Sequence, residues 1–208
     1  MILLMKKLLA LLFSLFFLSS LSVFADDISD FEIEGISIGD SLLDYMTEDE
    51  ILKEIERTKD YYSYLNEPNK YAEVYLRKNF LTFSSVSLMI KNNLINEYLT
   101  NKNEEYTILS IYGTIDYEED FDSCIVKRDE ILEVVSKMFP DAQKTAVILA
   151  HSLDPSGDST SDIVTLNLTS GAEIHIDCID FEESFRNKNN FTEGISFGIL
   201  SQETADWN

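Results

Sequence analysis

The chain has 208 residues, with 38 acidic against 16 basic side chains and a formal net charge of −22. That excess of acid argues against nucleic-acid binding, which depends largely on Lys and Arg displacing counterions from phosphate, and it disfavours anionic membrane surfaces for the same reason. With only 7 glycines and 3 prolines, linkers and low-complexity tracts are not expected.

Residues 1–25 read as a Sec-type signal peptide. Lys6 and Lys7 precede an apolar run over 8–18, and Val23-Phe24-Ala25 ends it with small residues at its first and third positions, so cleavage is expected between Ala25 and Asp26. The apolar run is short of the about 20 residues that a membrane span needs. A periplasmic or secreted protein is expected, without stable membrane insertion after cleavage. Residues 26–208 have the length of one domain, divisible into halves 26–118 and 119–208, that needs no metal in order to fold.

In chain order, 31–38 alternates apolar and polar residues and reads as a strand. Gly39-Asp40-Ser41 turns the chain and caps a short helix. Thr47 and Glu50 stand in capping-box spacing before a helix with Ile51, Leu52 and Ile55 on its apolar side, ending near Thr58. Tyr61, Tyr62 and Tyr64 lead to a turn at Glu67-Pro68-Asn69. Strands are predicted at 71–78, 82–91 and 105–115, and the polar insert 92–105 has room for a helical turn around Leu94, Ile95, Tyr98 and Leu99. The strongest helix is 120–139, where Phe121, Cys124, Ile125, Ile131, Leu132, Val135 and Met138 recur at three and four. Pro140 stops it. Strands at 142–152, 160–169 and 173–180 follow, and one at 193–200 ends the pattern. Runs of strands between two main helices predict an α+β fold, with a largely antiparallel sheet and both helices packed on one face.

Two cysteines in an exported chain point to a disulfide. Cys124 lies on the apolar side of its helix, and Cys178 shares a strand face with Ile174 and Ile176. Both therefore face the layer between helix and sheet. They do not form a C-x-x-C pair, so redox catalysis is not indicated.

The hairpin around Ser170-Gly171 sets a polar face. Keeping Leu166 and Leu168 on one side with Ile174 and Ile176 requires an odd loop, with Gly171 at positive φ. The register read from this pairs Leu168 with Ile174, Leu166 with Ile176 and Val164 with Cys178. The opposite face then carries Thr169–Glu173, Asn167–His175 and Thr165–Asp177. His175 between two carboxylates suits a pH sensor, a metal ligand or a general base; the plainer account is a sheet face covered by water. The loop 154–162 spaces Asp154, Asp158 and Asp162 by four, which suggests a divalent cation, but it lacks the pattern of a calcium loop and reads as a connector.

Gly39-Asp40-Ser41-Leu42 spells the motif of GDSL-type esterases, in which the serine is the nucleophile. That family also needs a late Asp-x-x-His, and here Ile148 and Ala172 stand three before His151 and His175. Ser41 is therefore read as a helix cap. The stretch 31–43, Cys124 with its charged helix, His151-x-x-Asp154-x-Ser156-Gly157 and Ile174-x-Ile176-x-Cys178 together resemble a group of uncharacterised exported proteins of marine bacteria. That resemblance implies export and carries no activity to transfer. The opening Gly35-Ile-Ser-Ile-Gly-Asp-Ser41 is similar to the strand-to-helix entry of small envelope modules related to β-lactamase-inhibitor proteins, a likeness of fold only.

No residue set in the chain forms a recognisable catalytic, cofactor or metal constellation. The leading expectation is a non-enzymatic binding protein for a protein or small-molecule ligand, using the polar face that carries Asn167, Glu173, His175 and Asp177. The alternatives are a hydrolase using His151 or His175 with nearby acids, which requires the two histidines to converge, and a divalent-cation-binding protein.

Overall fold

The computed structural model describes residues 28–60, 65, 70–92, 104, 106–117, 120–189 and 191–207. The leader and its cleavage site, the tyrosines at 61–64, the turn at 67–69 and most of the 92–105 insert lie outside the described residues.

The first predicted strand is broken in two. Glu34 and Gly35 both take positive φ, at 54° and 76°, so 31–38 folds back as a tight hairpin of β1 (Glu32–Ile33) and β2 (Ile36–Ser37). Such a turn needs left-handed backbone at both central positions, and glycine supplies one of them without strain. Ser41 accepts the Leu43 N–H at 3.3 Å and caps a 3-10 turn over Leu42–Asp44. Helix α1 (Glu48–Thr58) begins with a complete capping box: the Glu50 N–H donates to Thr47 Oγ1 at 3.4 Å and the Thr47 N–H donates to Glu50 Oε2 at 2.9 Å.

Three strands follow, β3 (Tyr71–Tyr75), β4 (Ser85–Lys91) and β5 (Ile108–Asp116). Helix α2 (Phe121–Met138) is capped by Asp120, which accepts the Ser123 N–H at 3.1 Å. Then come β6 (Gln143–Ala150), β7 (Thr160–Asn167) and β8 (Glu173–Asp180). Two short helices bracket the last strand: α3 (Glu183–Asn189), β9 (Gly194–Leu200) and α4 (Gln202–Ala205). Neither was predicted. At this length an amphipathic period is barely sampled.

All seven long strands form one antiparallel sheet in the order β3-β4-β5-β9-β8-β7-β6. The last strand thus enters the middle of the sheet and joins the two meanders. Both main helices cover the same face: Ile51 and Ile55 of α1 and Cys124 and Val135 of α2 share one core with Val74, Leu88, Ile111, Ile176 and Ile199. Burying each such Ile or Leu is worth about 1.5–3 kcal/mol. The fold is α+β, as the sequence predicts. Among the described residues, no helix is long and apolar enough to cross a membrane.

Cys124 and Cys178 meet between α2 and β8, with sulfurs 2.04 Å apart and Cα atoms 6.0 Å apart. The bridge is the one the face argument predicts. It closes a loop of 54 residues in sequence, which limits the unfolded chain by about 4 kcal/mol.

The β7–β8 register differs from the prediction by two residues. Leu166 pairs with Ile174, Val164 with Ile176 and Asp162 with Cys178. Leu168 N–H donates to Ala172 O at 2.9 Å, and Gly171 stands at φ 85°. The loop is the three-residue kind, Thr169-Ser170-Gly171, rather than the longer odd loop expected. A shift of two leaves every side chain on its face, so the face assignment stands while the cross-strand partners change: Asn167 faces Glu173, Thr165 faces His175, and Ile163 faces Asp177.

Candidate functional site

The face away from the two main helices divides into a half under α4 and a half centred on β8. Over β3, β4 and β5 lies α4. Thr204 Oγ1 is 2.7 Å from Ser110 Oγ, and the Trp207 ring meets Tyr71 edge-on at 4.8 Å. Glu203 reaches back to Lys70 at 3.0 Å and Lys91 at 3.4 Å and accepts the Tyr71 hydroxyl at 3.1 Å. Lys91 also pairs with Glu104 at 2.7 Å. These partners lie far apart in sequence, so no local pattern announces the roof.

The other half, built from β9, β8, β7 and β6, presents the predicted polar residues. Alternation puts Glu173, His175 and Asp177 on this face of β8, and register sets them beside Leu200, Gly198 and Ser196 of β9. His175 Nε2 lies 2.7 Å from Glu173 Oε2. Gly198 separates His175 from Tyr112 of β5, and a Cβ at Gly198 would run into the Tyr112 ring. The tyrosine ring therefore lies over the glycine, towards His175. Sequence reasoning missed Tyr112, although a glycine inside a strand signals the close approach of another group.

Asp177 is the electrostatically unusual member. Its Oδ1 is fully covered and, among the described residues, accepts no hydrogen bond. Burial pushes its pKa up to about 6, with the charge of His175 pulling the other way. Ser196 and Ile163 flank it on the neighbouring strands.

His151 lies elsewhere. It follows β6, six residues beyond Thr145, which stands in the His175 row; at the rise of a strand this is about 20 Å. Its ring packs edge-on to Phe181 at 4.9 Å, within a cluster completed by Phe185 and Phe191. Burial lowers its pKa, against the charge of Asp154. The convergence of the two histidines that a shared hydrolytic site requires is not present.

The aspartates of the 154–162 loop also diverge. Asp154 Oδ1 accepts the Ser156 N–H at 2.9 Å and its hydroxyl at 2.7 Å, while Oδ2 accepts the Ser159 N–H at 3.0 Å and its hydroxyl at 2.6 Å. These bonds hold its pKa down to about 2, led by the Ser159 hydroxyl and opposed by burial. Asp162 turns to the helix face and pairs with Arg128 at 2.6 Å. Among the described residues, no group of three or more His, Cys, Asp or Glu side chains is placed to hold a metal ion. Asp40, in the esterase-like motif, accepts the Tyr45 hydroxyl at 2.6 Å and the Ser37 N–H at 2.8 Å, which ties the hairpin to the 3-10 turn.

No family model, curated protein or solved structure matches the chain. The geometry defines an α+β domain with a cysteine bridge from helix to sheet, one sheet face closed by helices and a polar cluster of Glu173, His175 and Asp177 on the other.

Proposed function

We propose that the chain is an exported, non-enzymatic binding domain, periplasmic or secreted, that holds a protein or small ligand on the half of its sheet that carries His175. The observation that supports this is the division of the open face. One half is roofed by α4 and its ion pairs, while beside it Tyr112, the half-buried His175–Glu173 pair and the covered Asp177 stand together on the same face. An aromatic ring next to an imidazole–carboxylate pair gives a ligand both apolar contact and directional hydrogen bonding. The cysteine bridge fits an oxidising compartment.

Affinity capture from the native envelope tests the reading, with wild-type protein and the His175→Ala and Tyr112→Ala variants as baits. The same retained molecule should appear with wild type and be lost from both variants. Wild type that retains nothing in repeated captures refutes the reading, and so does retention indifferent to both substitutions.

A further inference from the structure

The two edges of the sheet are finished differently. At one end β3 is almost wholly buried. Its register partner β4 takes the main chain of the even positions, since Leu76 N–H donates to Val86 O at 3.0 Å, so Tyr71, Glu73 and Tyr75 turn their main-chain groups outward. The outward carbonyl of Glu73 is taken by Thr58 Oγ1 of α1 at 2.6 Å. That edge is closed.

At the other end β6 is exposed at every residue. Val147, Ile148 and Leu149 are 46, 66 and 51 % exposed. His151 N–H donates to Ser159 O at 2.8 Å, in the same register that pairs Ala150 with Thr160. The odd residues of β6 therefore bond to β7, and Lys144, Ala146, Ile148 and Ala150 aim their N–H and C=O groups away from the sheet. A long, flat, apolar edge of this kind is one that proteins ordinarily blunt with charges, proline or a bulge. Here the strand Gln143–Ala150 contains no proline and no acid, and Lys144 is its one charge.

We infer that β6 pairs with β6 of a second copy of this chain, antiparallel about a two-fold axis through Val147, so that one sheet runs through both protomers. Charge singles out this edge for self-pairing. The chain is acidic overall at −22, so most ways of bringing two copies together set carboxylate against carboxylate, whereas β6 offers an acid-free strand to its own image. The geometry agrees. A two-fold axis perpendicular to the sheet keeps faces aligned, which requires partners of equal parity. Centring on Val147 sets Lys144 opposite Ala150, Thr145 opposite Leu149 and Ala146 opposite Ile148. No like charges meet within the strand, and every outward main-chain group finds a partner in about eight hydrogen bonds. Because the β3 edge is closed, assembly stops at two.

Sedimentation of the full chain, expressed for export and purified as processed, tests this together with engineered cysteines. At the axis Val147 faces its own copy in a non-hydrogen-bonded pair about 4.5 Å apart, within reach of a disulfide. Val147→Cys should give a covalent dimer under mild oxidation. Leu149→Cys, about 14 Å from its copy, should not. Ala146→Pro removes an outward N–H and leaves the β6–β7 ladder intact; occurring twice in the dimer, it should weaken association at least about tenfold. Val147→Lys sets like charges face to face and should also favour the monomer, with circular dichroism unchanged in both variants. Added salt should strengthen the wild-type dimer, since it screens two acidic protomers. The inference is overturned by a monomer at every concentration, by open-ended assembly, by a dimer indifferent to both variants, or by cross-linking as fast through Leu149→Cys as through Val147→Cys. It is equally overturned if the chain is monomeric alone and only an added peptide strand or the uncleaved leader occupies the edge.

Discussion

Replacing Asp177 by Asn gives the most informative single perturbation of the candidate site. The Asp177 carboxyl titrates at about 6 in the fold, against an ordinary value of 3.8. Burial of an oxygen that accepts no hydrogen bond is the physical cause. The folded state therefore holds its proton more tightly than the unfolded chain does. Its effect on stability is most favourable below the ordinary value and is lost as pH rises through about 6. The gap corresponds to about 3 kcal/mol in all, of which about 2.5 kcal/mol falls between pH 4 and pH 8. In the Asp177→Asn variant nothing titrates at this position, so the variant should gain stability relative to wild type by about that amount across this range. For a chain of this size that is a relative rise in Tm of about 10 °C. The assay is urea unfolding of both proteins at intervals from pH 4 to pH 8, read as a difference. Taking the difference cancels His151, whose lowered pKa makes stability fall as pH drops below its ordinary range. A difference that is flat with pH refutes the reasoning, because a solvated carboxyl titrating at its ordinary value would leave no such slope.

Other consequences are simpler to read. Reducing the Cys124–Cys178 bridge, or replacing Cys178 by Ser, should cost about 4 kcal/mol in denaturant unfolding, from the loop it closes. Thr47→Ala should cost about 1 kcal/mol, because the capping box at the start of α1 is lost. Gly171→Ala should destabilise by more than about 1 kcal/mol, since Gly171 stands at φ 85° and a Cβ would meet the Gln202 side chain at 2.9 Å. Gly198→Ala should displace the Tyr112 ring, seen as a change in tyrosine fluorescence or in the near-ultraviolet dichroism, with the secondary structure kept.

The parts of the site that were legible in the sequence are those fixed by alternation. Glu173, His175 and Asp177 share a face because they are two residues apart, and Cys178 faces inward for the same reason. The cross-strand partners were misplaced by two residues, because two odd loops of different length satisfy the same alternation and only the closed Leu168–Ala172 pair selects the shorter. The hairpin at Glu34-Gly35 was hidden by an apolar–polar pattern that continues through the turn. Helix α3 carries Phe185 as its one aromatic residue, and its packing partners Phe181 and Phe191 lie outside it. Its period was therefore too short to read.

By itself the sequence determined the α+β class, the long helix with its Pro140 stop, the inward facing of both cysteines and the polar character of one face of β8. These follow from capping chemistry and from periods of 2 and 3.6, which act within a few residues. Tertiary structure alone decided that the last strand lies between β5 and β8, that α4 roofs one half of the open face, that Asp177 loses its water, and that β3 is closed while β6 is bare. Each of these depends on contacts between segments remote in the chain, where burial and partner choice are set by what else arrives and not by local pattern.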